Sequence, residues 1–330
     1  MVGKVLQKTV LDPWKAVPFL LLAHYTTKGS ELAQQHPKAV KVLKVLTFLS
    51  VLRRLNAWLN RRAINNGVSD HYDWNREVVV LTGGSSGIGN IVAQLLGKRG
   101  IKVAILDIQP PQGTLPPTVR FYECDITSAA AIGSVAATIR TTLGEPTVLI
   151  NNAGLLTGKT ILGTTEAITR KMFEVNTLAH YWLAQEFLPA MIKRNHGMVV
   201  TLASQAGYVT TPNMVDYAAT KAGAVAFHEG LASELATRYK APRVRTVLVT
   251  PGFTRTTLIN VLTPEDSFIG PLLYPETVAE GIVSRVISGE SGHFNVPGTS
   301  GAVARYLRAL PVWFQTGMRN RLERSVRGPD

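Results

Sequence analysis

The sequence predicts an α/β protein built on a parallel, doubly wound β-sheet with helices on both faces. From residue 77 onward, short apolar runs alternate with segments that have helical periodicity. A glycine-rich turn lies between the first apolar run and the first of these helices. This middle part of the 330-residue chain is nearly neutral, whereas both ends are basic. Together these features predict one globular α/β domain between two extensions of different character.

The apolar runs are short and rich in β-branched residues, as strands buried on both faces require. Six are found, at 77–82, 102–107, 120–125, 147–152, 197–204 and 244–250. The segments between them look helical. The first has apolar residues at the i, i+3, i+4, i+7 and i+8 positions of one helix face, which are Ile88, Ile91, Val92, Leu95 and Leu96. Strands that alternate with helices indicate right-handed parallel crossovers.

The turn after the first strand reads TGGSSGIG, residues 82–89. Gly83, Gly87 and Gly89 fall where a chain must turn tightly and let a pyrophosphate approach its backbone. The helix that begins there offers free N–H groups and the positive end of its dipole to phosphates. Asp107 ends the second strand, where a carboxylate can accept hydrogen bonds from an adenosine ribose and repel a 2′-phosphate. The alternative for Asp107 is a strand-end turn residue.

The charge distribution argues against nucleic-acid binding. The formal net charge is +13, of which residues 1–75 carry +7, residues 302–330 carry +4 and the long middle only +2. Basic ends with interleaved apolar residues are more typical of membrane-surface segments than of a groove that binds phosphates. The single cysteine, Cys124, excludes an internal disulfide, and no Cys/His spacing indicates a metal site.

The stretch VDYAATKAG, residues 215–223, places Tyr217 and Lys221 four residues apart. On a helix these side chains share one face. A neighbouring ammonium stabilises a phenolate, so the pKa of Tyr217 is expected to fall below its usual value and make the tyrosine a general acid or base. The alternative is an ordinary helix that carries an aromatic residue and a surface lysine.

Taken together, the motifs over about 76–300 resemble the short-chain dehydrogenase/reductase family. The glycine turn resembles its TGxxxGxG pattern, NNAG at 151–154 its motif after the fourth strand, and PGFTRT at 251–256 its loop beside the nicotinamide. Asn176, Ser204, Tyr217 and Lys221 follow the order and spacing of its catalytic tetrad. The resemblance implies a single Rossmann-like sheet of about seven strands in the order 3-2-1-4-5-6-7.

The resemblance also implies a role for each member of the tetrad. Tyr217 would exchange a proton with the substrate oxygen, and Lys221 would lower the pKa of the tyrosine and hold the nicotinamide ribose. Ser204 would hydrogen-bond the substrate oxygen as charge develops on it. Asn176 would hold a water that relays protons through Lys221. Taken singly, Ser204 could equally be a turn cap and Asn176 a polar helix residue.

The expected cofactor is NAD, with NADP less favoured, because Asp107 is acidic and no basic residue stands at Ser85, Ser86 or Ile108. Asp125 resembles the family's adenine-side aspartate, and it could also cap the helix that begins near Ser128. The expected cofactor-binding residues are Gly83, Ser85, Ser86, Gly87, Ile88, Gly89, Asp107, Ile108, Asp125, Ile126, Asn152, Ala153, Gly154, Tyr217, Lys221, Pro251, Gly252, Thr254 and Thr256.

The N-terminal extension contains two apolar segments. Residues 16–27 are uncharged but too short to span a bilayer. In 38–60, Lys38, Lys41, Lys44 and Thr47 recur at every third position between leucines and valines. That pattern is typical of a helix that lies in the headgroup plane with its lysines reaching outward. The alternative is a helix packed on the surface of the domain itself.

Two further segments bear on the substrate. Residues 303–326 mix aromatic residues and leucines with arginines, which fits either a second interfacial segment or a lid over the pocket. The loop 252–274 is expected to contact an apolar substrate. Its apolar members are Phe253, Leu258, Ile259, Val261, Leu262, Phe268, Ile269 and Leu272.

The basic extension and the YAATKAGAVAFHEGLASEL stretch are similar to the family's membrane-associated branch, which contains retinol and 17β-hydroxysteroid dehydrogenases of the endoplasmic reticulum and lipid droplets. The resemblance implies an NAD(P)-dependent oxidoreductase for a hydrophobic alcohol or carbonyl compound, on the cytoplasmic face of those membranes, as a homodimer or homotetramer. The alternatives are an idle membrane or lipid-droplet scaffold that keeps the fold and an NADP-dependent ketoreductase of secondary metabolism. Three domains are predicted: a membrane-associating extension at 1–75, a catalytic domain at 76–300, and a C-terminal segment at 301–330 that serves as a lid or a membrane contact.

Overall fold

The structure is a computed structural model, and it describes residues 13–111, 113–262 and 272–325. The chain divides into two compact units, one that ends at Gly67 and one that begins at Val68. Phe268 and Ile269 of the predicted substrate loop lie outside the described residues.

The first unit consists of three helices, α1 (Pro13–Tyr25), α2 (Thr27–Gln35) and α3 (Pro37–Ile64). Thr26 caps α2, since its Oγ1 accepts a hydrogen bond of 3.1 Å from the Gly29 N–H. In α3 the buried residues are the polar Thr47 and Ser50, whose hydroxyls donate to main-chain carbonyls one turn back. Thr47 therefore belongs to the packed face of the helix and not, as the sequence pattern predicted, to an outward polar stripe.

Many of the large apolar side chains of this unit are exposed. Exposed large apolar residues include Trp14, Phe19, Leu22, Tyr25, Val45, Phe48, Leu52, Leu55 and Trp58. Across residues 13–111, 113–262 and 272–325, the helices fall short of the combined length and hydrophobicity that a bilayer crossing requires.

The second unit contains a seven-stranded parallel sheet in the order β3-β2-β1-β4-β5-β6-β7, which confirms the predicted topology. The strands are β1 (Val78–Thr82), β2 (Lys102–Asp107), β3 (Val119–Glu123), β4 (Val148–Asn151), β5 (Gly197–Leu202), β6 (Val244–Pro251) and β7 (Gly292–Val296). All residues of β1, β4, β5 and β6 are buried, as continuous apolar runs predict.

The second unit also contains helices, most of which pack on the two faces of this sheet. They are α4 (Gly87–Gly97), α5 (Ala129–Thr142), α6 (Glu166–Phe173), α7 (Ala179–Arg194), α8 (Val215–Thr237), α9 (Pro275–Ile287), α10 (Gly298–Tyr306) and α11 (Val312–Arg321). A π-helical turn, Glu174–Leu178, joins α6 to α7. The N-cap of α5 is Ser128, whose Oγ accepts from the Ala131 N–H at 3.2 Å, so Asp125 does not cap this helix.

Successive strand residues supply two separate cores because they point to opposite faces of the sheet. Val79 and Leu81 pack with α4 and α9, whereas Val78 and Val80 pack with α5, α7 and α8. Full burial of each such side chain contributes about 1.5–3 kcal/mol relative to exposure. The two cores hold the strands in register and bring the ends of β1 to β6 together at one edge of the sheet.

Candidate active site

The site lies at the carboxyl edge of the sheet, where ligands bind in open parallel sheets. There the glycine turn after β1 adopts a backbone that L-residues other than glycine avoid, with φ of +66° at Gly83 and +52° at Gly87. A Cβ atom on Gly89 would lie 2.1 Å from the Gly83 carbonyl oxygen. The turn therefore tolerates no side chain at Gly89, and α4 starts directly from it.

A cavity of about 840 Å³ opens from this turn and extends to Tyr217. Most of the predicted cofactor residues line it, as do Ser204 and residues of the loop after β6. The predicted residues found in its wall are Gly83, Ser86, Gly87, Ile88, Gly89, Asp107, Ile108, Asp125, Ile126, Asn152, Ala153, Gly154, Tyr217, Lys221, Pro251, Gly252, Thr254 and Thr256. Ser85 and Asn176 are not among the lining residues, and both hydrogen-bond residues that are.

Tyr217 and Lys221 lie one turn apart on α8, and both are buried. The Lys221 ammonium is 5.7 Å from the centroid of the Tyr217 ring and donates a 3.0 Å hydrogen bond to the Leu202 carbonyl at the end of β5. The pair thus stands on one helix face against the last residue of a central strand, as the i, i+4 spacing predicted.

The direction of the tyrosine pKa differs from the prediction. Burial raises the pKa of Tyr217 to about 12, and a hydrogen bond with Ser204 only partly opposes this effect. Burial also lowers the pKa of Lys221 to about 8. The expectation that Lys221 holds the pKa of Tyr217 below its usual value is therefore wrong for this structure. Burial disfavours the charged form of each group, and the ammonium is engaged by a main-chain carbonyl.

Ser204 follows β5 and performs two tasks. Its Oγ accepts a hydrogen bond of 3.1 Å from the Ala206 N–H, which caps the short 3₁₀ helix Gln205–Gly207. The same hydroxyl donates to the Pro251 carbonyl at 3.4 Å and is hydrogen-bonded to Tyr217. The turn-cap role and the position beside the tyrosine thus coexist in one residue.

Asn176 occupies the π-helical turn and is fully buried. Its side-chain amide accepts from the Leu155 N–H at 2.7 Å and donates to the Leu155 carbonyl and the Thr220 hydroxyl at 2.9 and 3.1 Å. A Cβ atom on Gly154 would lie 3.4 Å from both Asn176 Oδ1 and Lys221 Nζ. Asn176 therefore ties the chain after β4 to α8, with its oxygen on the side of Gly154 that also faces the lysine.

Asp107 is held in place by the glycine turn. Its carboxylate accepts from the Ser85 N–H at 3.0 Å and from the Gln109 N–H at 3.3 Å. Ser85 is buried, and its hydroxyl donates to the Gln109 carbonyl at 2.5 Å. Ser85 thus positions Asp107 from outside the cavity, while Asp107 itself lines it.

The structure identifies lining residues that sequence reasoning missed. Lys171 and Val175, one turn apart, come from α6 and the π-helical turn, and five residues of the C-terminal segment close the opposite wall. These five are Val303, Ala304, Leu307, Met318 and Leu322. The apolar mixture in 303–326 was a signal for the C-terminal residues, but it left lid and membrane contact equally open.

These features together fit a nicotinamide dinucleotide. The glycine turn leaves backbone accessible where a pyrophosphate must approach, and α4 begins there. Asp107 offers a carboxylate at the end of β2, and Lys221 presents an ammonium beside Tyr217. When bound, the cofactor supplies the hydride acceptor or donor. In such a reaction the Tyr217 hydroxyl would exchange the proton, and the residues that line the cavity would orient both reactants.

Comparison with known proteins agrees with this geometry. The family model described as short chain dehydrogenase matches residues 77–267. A dehydrogenase named RED2 of Cochliobolus heterostrophus is 45% identical over 208 residues, which cover 62% of this chain and 78% of that protein. Human estradiol 17-beta-dehydrogenase 11 is 32% identical over 255 residues, covering 74% of this chain and 83% of the relative.

A solved structure shows the same fold. The short chain dehydrogenase of Burkholderia cenocepacia, in complex with NADP, aligns with a TM-score of 0.62 and 25% identity, covering 72% of this chain and 95% of that one. The protein described here belongs to the short-chain dehydrogenase/reductase family, and its likeness to the 17β-hydroxysteroid dehydrogenase branch is confirmed. It is an NAD(P)-dependent oxidoreductase that acts on CH–OH groups and the corresponding carbonyls.

Proposed function

We propose that the protein interconverts a large, uncharged, apolar alcohol and its carbonyl compound, with a retinoid, steroid or fatty alcohol as the substrate type, and that it uses NAD. The observation that carries this proposal is the apolar surrounding of Tyr217. The tyrosine packs in one cluster with Leu156, Met172, Met214 and Leu262. Phe253, Leu258, Ile259 and Val261 of the loop after β6 pack against the same cluster.

Charge is unevenly distributed in the cavity: Lys221 lies beside Tyr217, whereas the loop after β6 and the C-terminal segment bring no charged side chain to the described wall. Its charged lining residues are Asp107, Asp125, Lys171 and Lys221, and none of the described lining residues after Gly252 carries a charge. A charged substrate would lose hydration there without gaining a partner, which costs several kcal/mol. An apolar substrate gains about 25 cal/mol for each Å² that it buries. The wall therefore favours a neutral, apolar molecule.

The test is turnover with a panel of retinoids, steroids and long-chain alcohols, measured at the NADH absorbance band. Each alcohol is paired with a carboxylated analogue of the same length. We expect the neutral alcohols to be oxidised with kcat/KM at least tenfold above their carboxylated analogues. A preference for the carboxylated compounds would refute the proposal. Absence of turnover with every alcohol and ketone, despite NAD binding, would favour the idle-scaffold alternative.

The preference for NAD rests on Asp107. Its carboxylate is fixed by two main-chain N–H groups at the end of β2, where it would repel a 2′-phosphate. We expect Kd for NAD to be at least about tenfold lower than for NADP, or about 1.4 kcal/mol. Asp107→Ala should narrow this ratio, whereas Glu123→Ala, at the end of the neighbouring β3, should leave it unchanged. Equal affinities in the unmodified protein would refute the preference.

We also propose that the first unit and the C-terminal segment contact a membrane surface, which would place the protein at the cytoplasmic face of the endoplasmic reticulum or a lipid droplet. In α3 the polar Thr47 and Ser50 are buried while Phe48 and Trp58 are 63% and 54% exposed. Contiguous exposed apolar surface marks an interaction site. The guanidinium of Arg62 lies 5.5 Å from the Trp58 ring, a pairing of cation and aromatic ring that suits an interface.

The C-terminal segment has features of both a lid over the pocket and an interfacial segment. Met318 and Leu322 line the cavity, whereas Trp313 and Val312 on the same stretch are 76% and 74% exposed. A segment that closes the pocket on one side and presents apolar residues on the other would suit a lid at a lipid surface. Arg319 and Arg321 at the end of α11 would then meet anionic headgroups.

Vesicle flotation tests this membrane contact on the full chain. The unmodified protein should float with vesicles of zwitterionic and anionic phospholipids, and Phe48→Glu with Leu52→Glu should reduce the bound fraction severalfold. The matched control is Leu162→Glu, which changes an apolar residue that is 97% exposed in the second unit. Equal flotation of the double variant and the unmodified protein would refute contact through α3.

A further inference from the structure

One end of the cavity carries a charged pair whose function the tetrad and the glycine turn do not explain. Asp125 follows β3, Lys171 lies on α6, and both line the cavity. The Lys171 ammonium donates to Asp125 Oδ2 at 3.2 Å and to the Thr127 hydroxyl at 3.1 Å. The two charged side chains are 45% and 49% exposed. Exposed pairs contribute little to stability, so this one is not needed to hold α6 on the domain.

The hydrogen bonds hold the Asp125 carboxylate in one orientation. Its Oδ1 accepts from the Thr127 N–H at 2.9 Å and from the Thr127 hydroxyl at 2.7 Å, and Lys171 holds the other oxygen. Partial burial raises the pKa of Asp125, but the hydrogen bonds from Thr127 and Lys171 outweigh it and lower the pKa overall. The group is thus an ionised carboxylate, which can only accept hydrogen bonds.

A carboxylate that is fixed in place and can only accept hydrogen bonds would distinguish adenine from hypoxanthine. Adenine presents an amino donor at its C6 position. Hypoxanthine presents a carbonyl oxygen there, and this oxygen would face the carboxylate with like partial charge. The discrimination depends on the carboxylate staying in place, since a mobile side chain could turn into solvent and avoid the oxygen.

We propose that Lys171 is a positioning residue that fixes Asp125 as the acceptor for the adenine amino group, so that Lys171 sets the selectivity of the cofactor site for its base. The inference rests on the proposed binding of a nicotinamide adenine dinucleotide in this cavity and on Asp125 as the adenine-side carboxylate. Lys171 touches Asp125 and Thr127 and acts through them, and it takes no part in proton or hydride transfer.

The test compares the binding of NAD with that of nicotinamide hypoxanthine dinucleotide to the full-length protein, by calorimetry and without substrate. The unmodified protein should bind NAD about tenfold more tightly than the hypoxanthine analogue, as a hydrogen bond to a charged group implies. Lys171→Met should reduce this ratio to about twofold, mostly by weakening NAD binding, and Lys171→Arg should preserve most of it because the charge remains.

The matched control is Arg170→Met, one residue earlier on the same helix. Arg170 pairs with Glu166 at 2.6 Å and is not among the cavity-lining residues. Its replacement by methionine removes one positive charge, as Lys171→Met does. Arg170→Met should leave the ratio of the two dissociation constants unchanged. If it lowered the ratio as much as Lys171→Met does, the effect would be one of net charge and the proposal would be wrong.

A double-mutant cycle separates the inference from its premises. Asp125→Asn should bring the ratio of the two dissociation constants to about one. Lys171→Met in that background should change this ratio no further. If Lys171→Met weakened the binding of both dinucleotides equally, Lys171 would contact the common part of the cofactor, and the inference would fail while cofactor binding stood. An unchanged ratio in Asp125→Asn would overturn the role of Asp125 as well. Failure of the unmodified protein to bind NAD would refute the proposed function itself.

Discussion

The two edges of the parallel sheet differ in how their charged side chains are paired. At the amino edge, where strands begin, partly buried charged groups are paired with one another. His196 before β5 is 2.8 Å from Asp70 and 3.3 Å from Glu77, which precedes β1. At the carboxyl edge Tyr217 and Lys221 are buried more deeply than His196, yet in the described part of the chain no carboxylate lies within ion-pair distance of Lys221.

From this difference we expect the amino edge to stabilise the fold and the carboxyl edge to serve the proposed chemistry. Hydrogen bonding to Glu77, supported by Asp70, raises the pKa of His196 despite partial burial, so its cationic form is stabilised by folding. Burial has the reverse effect on Lys221, whose charged form folding disfavours. Replacements at the amino edge should therefore cost stability without affecting turnover. Those at the carboxyl edge should cost turnover without lowering stability near neutral pH.

The largest expected effect is that of Tyr217→Phe on turnover. Loss of the only proton donor and acceptor proposed for the substrate oxygen should lower kcat by about 10²- to 10⁴-fold. The ring stays in its apolar cluster, and the hydroxyl's partner Ser204 keeps its bonds to Ala206 and Pro251. The melting temperature should consequently stay at the wild-type value. Turnover at the wild-type rate would show that Tyr217 takes no part in the proposed chemistry. A large decrease in melting temperature would show that the carboxyl edge also stabilises the fold.

Lys221→Met should lower activity and, near neutral pH, leave the melting temperature at least as high as in the unmodified protein. Because the folded pKa of about 8 lies below the ordinary value of 10.5, the unfolded chain binds more protons between these pH values. The stability contributed by this group therefore rises as pH increases from about 8 to 10.5. Thermal melts across that range should show the unmodified protein gaining stability relative to Lys221→Met. A parallel pH dependence of the two proteins would contradict the burial of a charged lysine.

Sequence patterns located most of this architecture, and their failures have physical reasons. Strands that are buried on both faces leave an unbroken apolar run, so β1, β4, β5 and β6 were found directly. β7 (Gly292–Val296) has only its first and last residues buried, and its His293 and Asn295 interrupt any apolar run. Only the family resemblance implied a seventh strand.

In the site, local motifs identified those cavity-lining residues that one short segment holds together. The glycine turn, Asp107 and the Tyr217–Lys221 pair each combine spacing with a single element. Lys171 and Met318 could not be found this way, since what they contact is assembled from distant parts of the chain. The pKa of Tyr217 was missed for a related reason, because its burial depends on the loop after β6 and on Met214, neither of which the YAATK spacing reveals.

At the amino edge, His196→Gln should destabilise the protein in a pH-dependent manner. A raised folded pKa means that the contribution of His196 is fully present below the ordinary pKa of about 6.5 and is lost as pH rises through the folded value. The gap in melting temperature between the unmodified protein and His196→Gln should thus be largest below the ordinary histidine pKa of about 6.5 and shrink as pH rises above it. His71→Gln, an exposed neighbour, serves as the control and should show no such gap. A gap that widened with increasing pH would mean that the imidazole is held neutral.

The smallest effect is expected for Tyr72→Phe. The Tyr72 hydroxyl donates a 2.6 Å hydrogen bond to the Gly197 carbonyl at the start of β5, and burial raises the pKa of the phenol far above its usual value. Removal of one such bond should lower the free energy of unfolding by about 1–2 kcal/mol. The ring remains stacked on Trp74 at 5.3 Å and beside His196 at 4.6 Å, so packing should survive.

Urea unfolding measures this loss, which should appear as a lower midpoint with an unchanged m-value. Tyr122→Phe is the matched control, because its hydroxyl bonds the Thr142 hydroxyl at 2.7 Å in an exposed position, where removal should cost no more than about 0.5 kcal/mol. Since Tyr72 lies at the edge opposite the cavity, kcat/KM of Tyr72→Phe should equal that of the unmodified protein. A fall in kcat/KM that accompanied the loss of stability would show that the two edges are coupled through β5, whose first carbonyl bonds Tyr72 and whose last bonds Lys221.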